Sequence, residues 1–526
     1  MIIFKPRYAG IMLAQVLTHI SSVLSKSRNK SLSVAAMRSD LSAAVREAAP
    51  GRGGGIAAAL ISGDRSAVDR DTNEMLFNAG LGHLLSVSGI HMSIVGGLVF
   101  ALLLWGLSLI APLALRWPVK KLAAIGALAA VAAYLIVSGI NVPALRSFVM
   151  AAVAFGAILL DRPAISMRGL GLAALIVVAL FPESVLEPGF QMSFAATMAL
   201  VALFEMLKRA PHEPALPAPG PLIGAMQSIT RGVGAVILIS LVAGLATDPF
   251  AVYHFQRFSI YSLPANLLAE PILSFLVAPA AIAAAVLAPF GLAEPALQIM
   301  ASALDLIAAI GQTFGERPEG VRALPRPPDG AFVLCVIALI WACLWRGALR
   351  WGGAAFFAAG IALYLGAPQP IAAFDADMRV VYARVDQGDG VGWASMSRGG
   401  GSSYARERLG AMLGLAPSAT ERLAPPETCG EAACVWAVNG RTLALVKDET
   451  GFAATCQAGA LVIARVAAPE GYAQACALTA LLDAPDIAQR GGALIYDTPA
   501  GLELVSAKRP EINRAWTPRG ASLDQE

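Results

Sequence analysis

Long apolar runs separated by short polar connectors fill the chain from His83 to about residue 366. The runs are about 17–25 residues long, the length a helix needs to cross roughly 30 Å of hydrocarbon. Candidate spans lie near 92–115, 122–140, 143–160, 169–182, 189–206, 233–253, 266–290, 296–314, 330–345 and 350–366. The 169–182 run is short, and the 296–314 run carries Asp305, which fits either the interface or the inside of a bundle. Residues 1–82 read differently. They are basic (Lys26, Arg28, Lys30, Arg38) and only patchily apolar. An amphipathic helix is predicted over 41–49, a break over 51–55, and a resumed helical pattern in IAAALISGDRS. Past about residue 370 the spans stop and short strand-like segments appear: MRVVYARV (378–385), RTLALV (441–446), ALVIARV (460–466) and GALIYDT (492–498).

The pattern predicts a polytopic α-helical membrane protein of about ten transmembrane helices with a small C-terminal β-rich or α/β soluble domain. The expected parts are a basic lead (1–82), a helical membrane domain (83–366) and the soluble domain (374–526). Composition agrees. Of 526 residues, 57% are hydrophobic and 14% charged, whereas soluble domains run near 25% charged. That excludes a disordered tail and a disulfide mini-protein. A net charge of +3 is too weak to point to a partner. The opening MIIFKPRYAG has no apolar core of a cleavable signal, so insertion is expected to use internal segments.

Loop charges predict an orientation. Arg116, Lys120 and Lys121, then Lys208, Arg209 and Arg231, then Arg346 and Arg350, fall on one side of a ten-span bundle. The positive-inside rule makes that side cytoplasmic and turns both chain ends outward. The basic lead has no span before it to carry it out, so either the helix count is off by one or a preceding segment is expected.

Polar groups inside apolar spans are costly and mark candidate sites. The densest group is Gly82-His83-Leu84-Leu85-Ser86-Val87-Ser88-Gly89-Ile90-His91. Gly89 permits a break in the helix; the group lines a cavity, or it is a hydrogen-bonded interfacial helix start. A second group is Asn141-Val142-Pro143-Ala144-Leu145-Arg146, with Pro143 suited to a first turn. Arg146 either snorkels to the interface or contacts a phosphate. A third is Pro188-Gly189-Phe190-Gln191-Met192-Ser193-Phe194, where Gln191 or Ser193 faces a pore or the helix merely starts at the interface. The fourth, from Asp248 to Pro271, holds His254, Gln256, Arg257, Asn266 and Glu270 with interleaved aromatics. It reads as an interfacial aromatic belt or as a base-stacking surface beside Arg257.

The C-terminal part contains no histidine, since none follows His254. A histidine-ligated zinc centre within it is therefore excluded. Cys429, Cys434, Cys456 and Cys476 fit two disulfides, 429–434 and 456–476, if the domain is exported; a four-thiolate zinc site is the alternative. Cys335 and Cys343 fall in an apolar run and read as packing residues. Asp483, Asp486 and Asp497 read as surface turn residues.

The order of these groups resembles the ComEC-type competence protein family. GLGHLLSVSGIHMSIVGG (80–97) is similar to its His-Leu-Leu-x-x-Ser-Gly-x-His signature. SGDRSAVDRDTNEMLFNAG (62–80), NVPALRSFVMA (141–151), EPGFQMSFAATMAL (187–200) and FSIYSLPANLLAEPI (258–272) resemble further family segments. The resemblance covers about residues 40–315 and implies an inner-membrane channel for single-stranded DNA during natural transformation. It carries over to His83, Ser88, Gly89, His91, Pro143, Arg146, Gly189, Phe190, Gln191, Ser193, Phe194, Asn266 and Pro271 as pore or fold residues. Ser86 and Arg257 join the expected DNA path on their position. Many members also carry an N-terminal OB-like part, for which there is no room before His83. Many end in a metallo-β-lactamase-like domain, faintly echoed by VDQGDGVGWASMSRGGG (385–401) without its histidines.

The expected function is DNA uptake, with transport of a small solute or lipid as the alternative. No catalysis, cofactor or metal is expected. The expected partners are single-stranded DNA, membrane lipid, a homo-oligomeric copy and other uptake proteins. A separate motor is among these: the chain has no phosphate-binding loop ending in Gly-Lys-Ser/Thr, so the energy is expected from another protein or from the proton gradient, with His83 and His91 as candidates for a proton-linked step. The expected location is the bacterial inner membrane, multi-pass, with the C-terminal domain periplasmic or extracellular.

Overall fold

The computed structural model describes residues 34–85, 87, 89–208, 221–317, 319–387, 390–397, 401–498 and 501–506. They form two compact units. The first holds the described residues up to Ala251 with Ser259–Val321 and Leu339–Gly353; the second holds Val252–Phe258, Arg322–Ala338 and the described residues from Ala354 onward.

Helices follow one another as α1 (34–48), α2 (Arg52–Ser62), α3 (Arg70–Asn78), α4 (Gly89–Ser108), α5 (Ala111–Arg116), α6 (Val119–Ser138), α7 (Val142–Leu159) and α8 (Met167–Leu180). Next come α9 (Pro188–Leu207), α10 (Pro221–Phe255), α11 (Ser262–Ile272), α12 (Ala278–Leu287), α13 (Glu294–Gly315), α14 (Asp329–Leu344) and α15 (Gly352–Leu365). Among the described residues, eight helices are long and apolar enough to cross a membrane: His91–Ser108, Val119–Ser138, Val142–Leu159, Pro188–Leu207, Thr230–Phe255, Ser262–Phe290, Glu294–Gly315 and Gly347–Leu365. Two shorter apolar helices, α8 and α14, account for the other two expected runs. Large apolar side chains stay exposed on these helices, Leu175 and Phe275 among them. An apolar solvent accepts such a surface where water would not. The architecture is that of a polytopic helical membrane protein with a C-terminal β-rich region.

Within the first unit, the core gathers Ile56, Leu60, Leu76, Leu81, Met300, Leu304 and Ile307. The expected break at 51–55 is shorter than the glycine run. Gly51 alone takes a positive φ, of 105°, and Gly53 to Gly55 are helical and buried in α2. The reason is close approach: a β-carbon at Gly53 would stand 2.1 Å from the Ala301 carbonyl oxygen on α13. Both ends of α2 are closed by side chains from other helices. Asp305 of α13 accepts the Gly53 N–H at 2.7 Å. Arg38 of α1 donates through Nε to the Ser62 carbonyl at 2.8 Å. An acid at the N-terminus and a base at the C-terminus both complement the helix dipole. Tyr134 of α6 adds a hydroxyl donation to the Leu60 carbonyl at 2.9 Å. Asp305, ambiguous in the sequence, is thus an exposed residue whose carboxylate caps α2.

Pro271 lies inside α11, and the chain continues as one π turn, Leu273–Val277, before α12. Proline removes an amide donor and crowds the preceding turn, a common origin of such widening.

Two three-residue strands, β1 (Arg257–Ser259) and β2 (Val321–Ala323), come first along the chain. The second unit carries two larger sheets. One runs β11-β10-β3-β4-β5, built from β3 (Pro370–Phe374), β4 (Val381–Gln387), β5 (Gly390–Ser395), β10 (Ala493–Thr498) and β11 (Gly501–Ser506). All its pairings are antiparallel, with Ala372 opposite Ala383 and Ile495 opposite Ala372. The other runs β6-β7-β8-β9, from β6 (Ala433–Val438), β7 (Arg441–Val446), β8 (Leu461–Ala464) and β9 (Ala480–Leu482). Here β6 and β7 are antiparallel, while β7 to β9 are parallel. β8 and the last four residues of β7 are buried on both faces, while β9 is half-buried. Phe374, Val381, Ala383, Trp436, Leu443, Ile463 and Ile495 form the core between the sheets. Disulfides join Cys429 to Cys434 and Cys456 to Cys476.

Two outcomes follow from this packing. In the purified full chain, Asp305→Ala and Arg38→Ala should each lower thermal stability in detergent by about 1 kcal/mol, the usual cost of a lost cap. Asp305→Asn should lose less, because its side-chain oxygen still accepts; equal losses for both Asp305 variants would remove the capping role. Among the disulfides, Cys456→Ser with Cys476→Ser should cost about 3 kcal/mol and the Cys429/Cys434 pair about 2, since the first closes the longer loop (sequence separation 20 against 5). Chemical unfolding of the two double variants, followed by tryptophan fluorescence, reads this order.

Candidate functional site

Three helices of the first unit, α4, α7 and α9, begin at the sequence motifs. At α7, Asn141 takes extended backbone angles and its Oδ1 accepts the Ala144 N–H at 2.9 Å. Pro143 follows in the first turn, and Ser147 Oγ donates to the Pro143 carbonyl at 2.8 Å. That fixes the first turn and a half, and with it the direction of Arg146.

Arg146 is 5% exposed, and its Nε has no hydrogen-bond partner among the described residues. Its guanidinium lies on Gly189, at the start of α9: a β-carbon there would stand 3.1 Å from Nη2 and 3.3 Å from Nη1. Glycine at 189 therefore leaves the slot that the arginine fills. Glu187, just before α9, is an acid within its electrostatic reach. Gly89, the first residue of α4, stands against α7, with Ser147 Oγ 3.6 Å from where its β-carbon would be. Two turns' worth of polar groups thus join α4 to α7 and α7 to α9.

A second junction ties the α3–α4 connection to α11. Gly80 adopts a φ of 78°, and a β-carbon would stand 2.5 Å from Ser262 Cβ. Asn266 Nδ2 donates to the Ser262 carbonyl at 2.7 Å and reaches the Gly80 carbonyl at 3.5 Å. The Asn266 Oδ1 is buried without a hydrogen-bond partner among the described residues. Ser259 Oγ donates to the Asn78 carbonyl at 2.7 Å. His83 sits on the short turn Gly82–Leu85 and hydrogen-bonds the backbone of Gly80. Burial pushes its ring below the ordinary imidazole value, and the Gly80 hydrogen bond opposes that only in part. His83 is therefore neutral at pH 7. His91, 7% exposed in the first turns of α4, lies within electrostatic reach of His83.

The other expected residues are placed as follows. Gln191 Nε2 donates to the Val185 carbonyl at 3.0 Å, and the Ser193 carbonyl accepts from Thr197 Oγ1 at 2.8 Å. Phe190 and Phe194 pack with ring centroids 4.4 Å apart. Ser86 and Ser88 lie outside the described residues. Arg257 belongs to the second unit, where its Nη2 meets Glu407 Oε1 at 2.6 Å. Asp483 caps the helix Ala484–Arg490, and Asp497 pairs with Arg441 at 2.8 Å.

Sequence reasoning gave no separate role to Gly80, Ser147 or Glu187, although they lie inside the motif stretches 80–97, 141–151 and 187–200. Position within a motif was the available signal. The close contacts themselves are tertiary.

Residues 60–349, 290 of the 526, match the sequence model of the family described as Competence protein. His83, Gly89, Arg146, Gly189 and Asn266 all fall inside that stretch. ComE operon protein 3 of Bacillus subtilis is 27% identical over 234 residues, which is 44% of this chain and 26% of that protein. The uncharacterized protein YcaI of Escherichia coli is 26% identical over 225 residues, 43% of this chain and 28% of that one. The matched stretches thus span only about a quarter of the length of these relatives. No solved structure matches the chain. With the family model matched over more than half of its length, and the polar junctions lying inside the match, the chain belongs to the competence protein family.

Proposed function

We propose that the chain forms an inner-membrane channel that passes single-stranded DNA into the cytoplasm during natural transformation. The observation that carries this reading is Arg146. It is a buried cation with an unused donor, held at the starts of α7 and α9. Helix N-termini bear partial positive charge and present free amides, and they favour phosphate. A nucleic-acid strand carries about one negative charge per phosphate, so a path for it needs such groups at intervals. Membership of a competence family makes DNA the strand to test first.

In this reading His83, Asn266 and Gly89 shape the polar path. The C-terminal β-rich region, residues 370–526, acts without nuclease activity; it carries no histidine to bind a catalytic metal. Its two disulfides support a position outside the cytoplasm, in an oxidising compartment. With no phosphate-binding loop in the sequence, the driving force comes from another protein or from the proton gradient.

Deleting the gene in its host should abolish transformation while DNA still binds at the cell surface. Normal transformants from the deletion strain would end the proposal. A small-solute transporter, the other reading, would move its solute in liposomes with no effect of DNA. For Arg146→Ala, a charge-assisted hydrogen bond worth roughly 1.5–3 kcal/mol predicts a loss of about 10- to 100-fold in transformants. Membrane levels should stay normal and Arg146→Lys should recover part of the loss. Full transformation by Arg146→Ala would leave Arg146 as a packing residue.

A further inference from the structure

We infer that Glu270 is a proton-binding site within the membrane, the inner rung of a polar ladder that begins at His83. Glu270 lies eight residues after Ser262, where the span Ser262–Phe290 starts. At 1.5 Å per residue that is about 12 Å along a helix of 29 residues. A carboxyl group within a membrane span is costly and needs a neutralising partner.

The neighbouring helices provide no cation. No lysine or arginine occurs from Gly232 to Phe255 or from Ser262 to Gly315, which covers the lipid-depth part of α10 and all of α11, α12 and α13. Among the described residues Glu270 has no ion pair; its polar partner is Ser240 Oγ of α10, at 3.4 Å from Oε2. The titratable groups on the surrounding elements are few. On α10 there are Arg231 near its start, Asp248, and Tyr253 and His254 at its far end. On α13, Asp305 is engaged with the Gly53 amide, and Glu294 opens the helix at its far end. The π turn and α12 carry none. On the Gly82–Leu85 turn there is His83. A metal cation of any kind would need several oxygen ligands, and one carboxylate with one hydroxyl does not make that set. A proton needs only the carboxylate.

A route to it is laid out on one face. Asn266 stands one turn before Glu270, at the i, i+4 spacing that stacks side chains. Its amide reaches the Gly80 carbonyl, and Gly80 is hydrogen-bonded by His83. The Asn266 Oδ1, buried and without a partner among the described residues, leaves an unused acceptor on this face. Just beyond Glu270 come Pro271 and the π turn, a local widening of the kind that recurs at functional sites. Proton arrival or departure at Glu270 would thus be felt at a point where the helix is already irregular.

The test uses the full chain in liposomes loaded with a pH-sensitive dye. A potassium diffusion potential should drive proton entry through the wild type. Glu270→Gln, nearly the same shape, should slow it at least about tenfold, and Glu270→Asp should stay within about threefold of wild type. Exchanging external sodium for choline should change nothing. Wild-type flux from Glu270→Gln, no flux from the wild type, or flux that requires sodium would each overturn the inference. The assay contains no DNA, so its result is independent of whether the chain carries DNA.

Discussion

The helical unit depends on closing both ends of one short buried helix. α2 has eleven residues, and the stretch from Gly53 to Leu60 is shut away from solvent. A buried helix of that length leaves free amides at one end and free carbonyls at the other, each expensive to bury unpaired. Asp305 takes an amide at the start and Arg38 a carbonyl at the end. These partners come from α13 and α1, so the helix is satisfied only when three distant segments are in place together. Satisfying it selects the packing. Gly53 makes the requirement geometrically feasible, because only a residue without a side chain can bring the backbone to Asp305 and Ala301; Gly54 and Gly55 lie in the same way against the backbone of Ala49 and Ala67.

The same logic organises the candidate site. Arg146 fits against α9 because residue 189 lacks a side chain, and Gly80 meets Ser262 because its φ is positive and its β-carbon absent. Small residues let backbones approach in a medium that supplies no hydrophobic push between helices. Once they approach, polar groups that would be costly in hydrocarbon find carbonyls and hydroxyls within reach. Polar groups and glycines therefore occur together along this chain for one reason, and reading either alone gives half of the junction.

This explains which parts were legible from sequence. Spans depend on local length and apolarity, so all ten runs meet apolar helices, α8 and α14 falling short of a full crossing at 14 and 16 residues. Strands with β-branched runs were legible too: RTLALV is β7, and GALIYDT contains β10. β3 was not, since Pro370-Ile-Ala-Ala-Phe has little β-branching and is held as a strand by β10, more than a hundred residues later. The glycine run at 51–55 reads as a break because propensity counts glycine against a helix, while tertiary contact with α13 outweighs that local cost. Arg257 looks like a free cation among aromatics, yet its partner Glu407 lies 150 residues away and no local pattern announces it. At the motifs, residue types and order were legible; which groups touch was not.

Charge economy links these points. A chain with 14% charged residues has few to distribute, and some of those in the helical unit close its elements. Asp305 and Arg38 close α2, and Lys121 pairs with Asp161 at a helix end. Arg146 keeps an unused donor beside two helix starts, and Glu270 keeps a carboxylate with one hydroxyl neighbour. In a soluble protein neither would signify much, because water supplies the missing partner. At membrane depth it does not, and a polar group there depends on what the fold or a bound partner supplies. Arg146 has the acid Glu187 within electrostatic reach, while Glu270 has a hydroxyl from α10, so the two proposals rest on groups of opposite sign set on different helices.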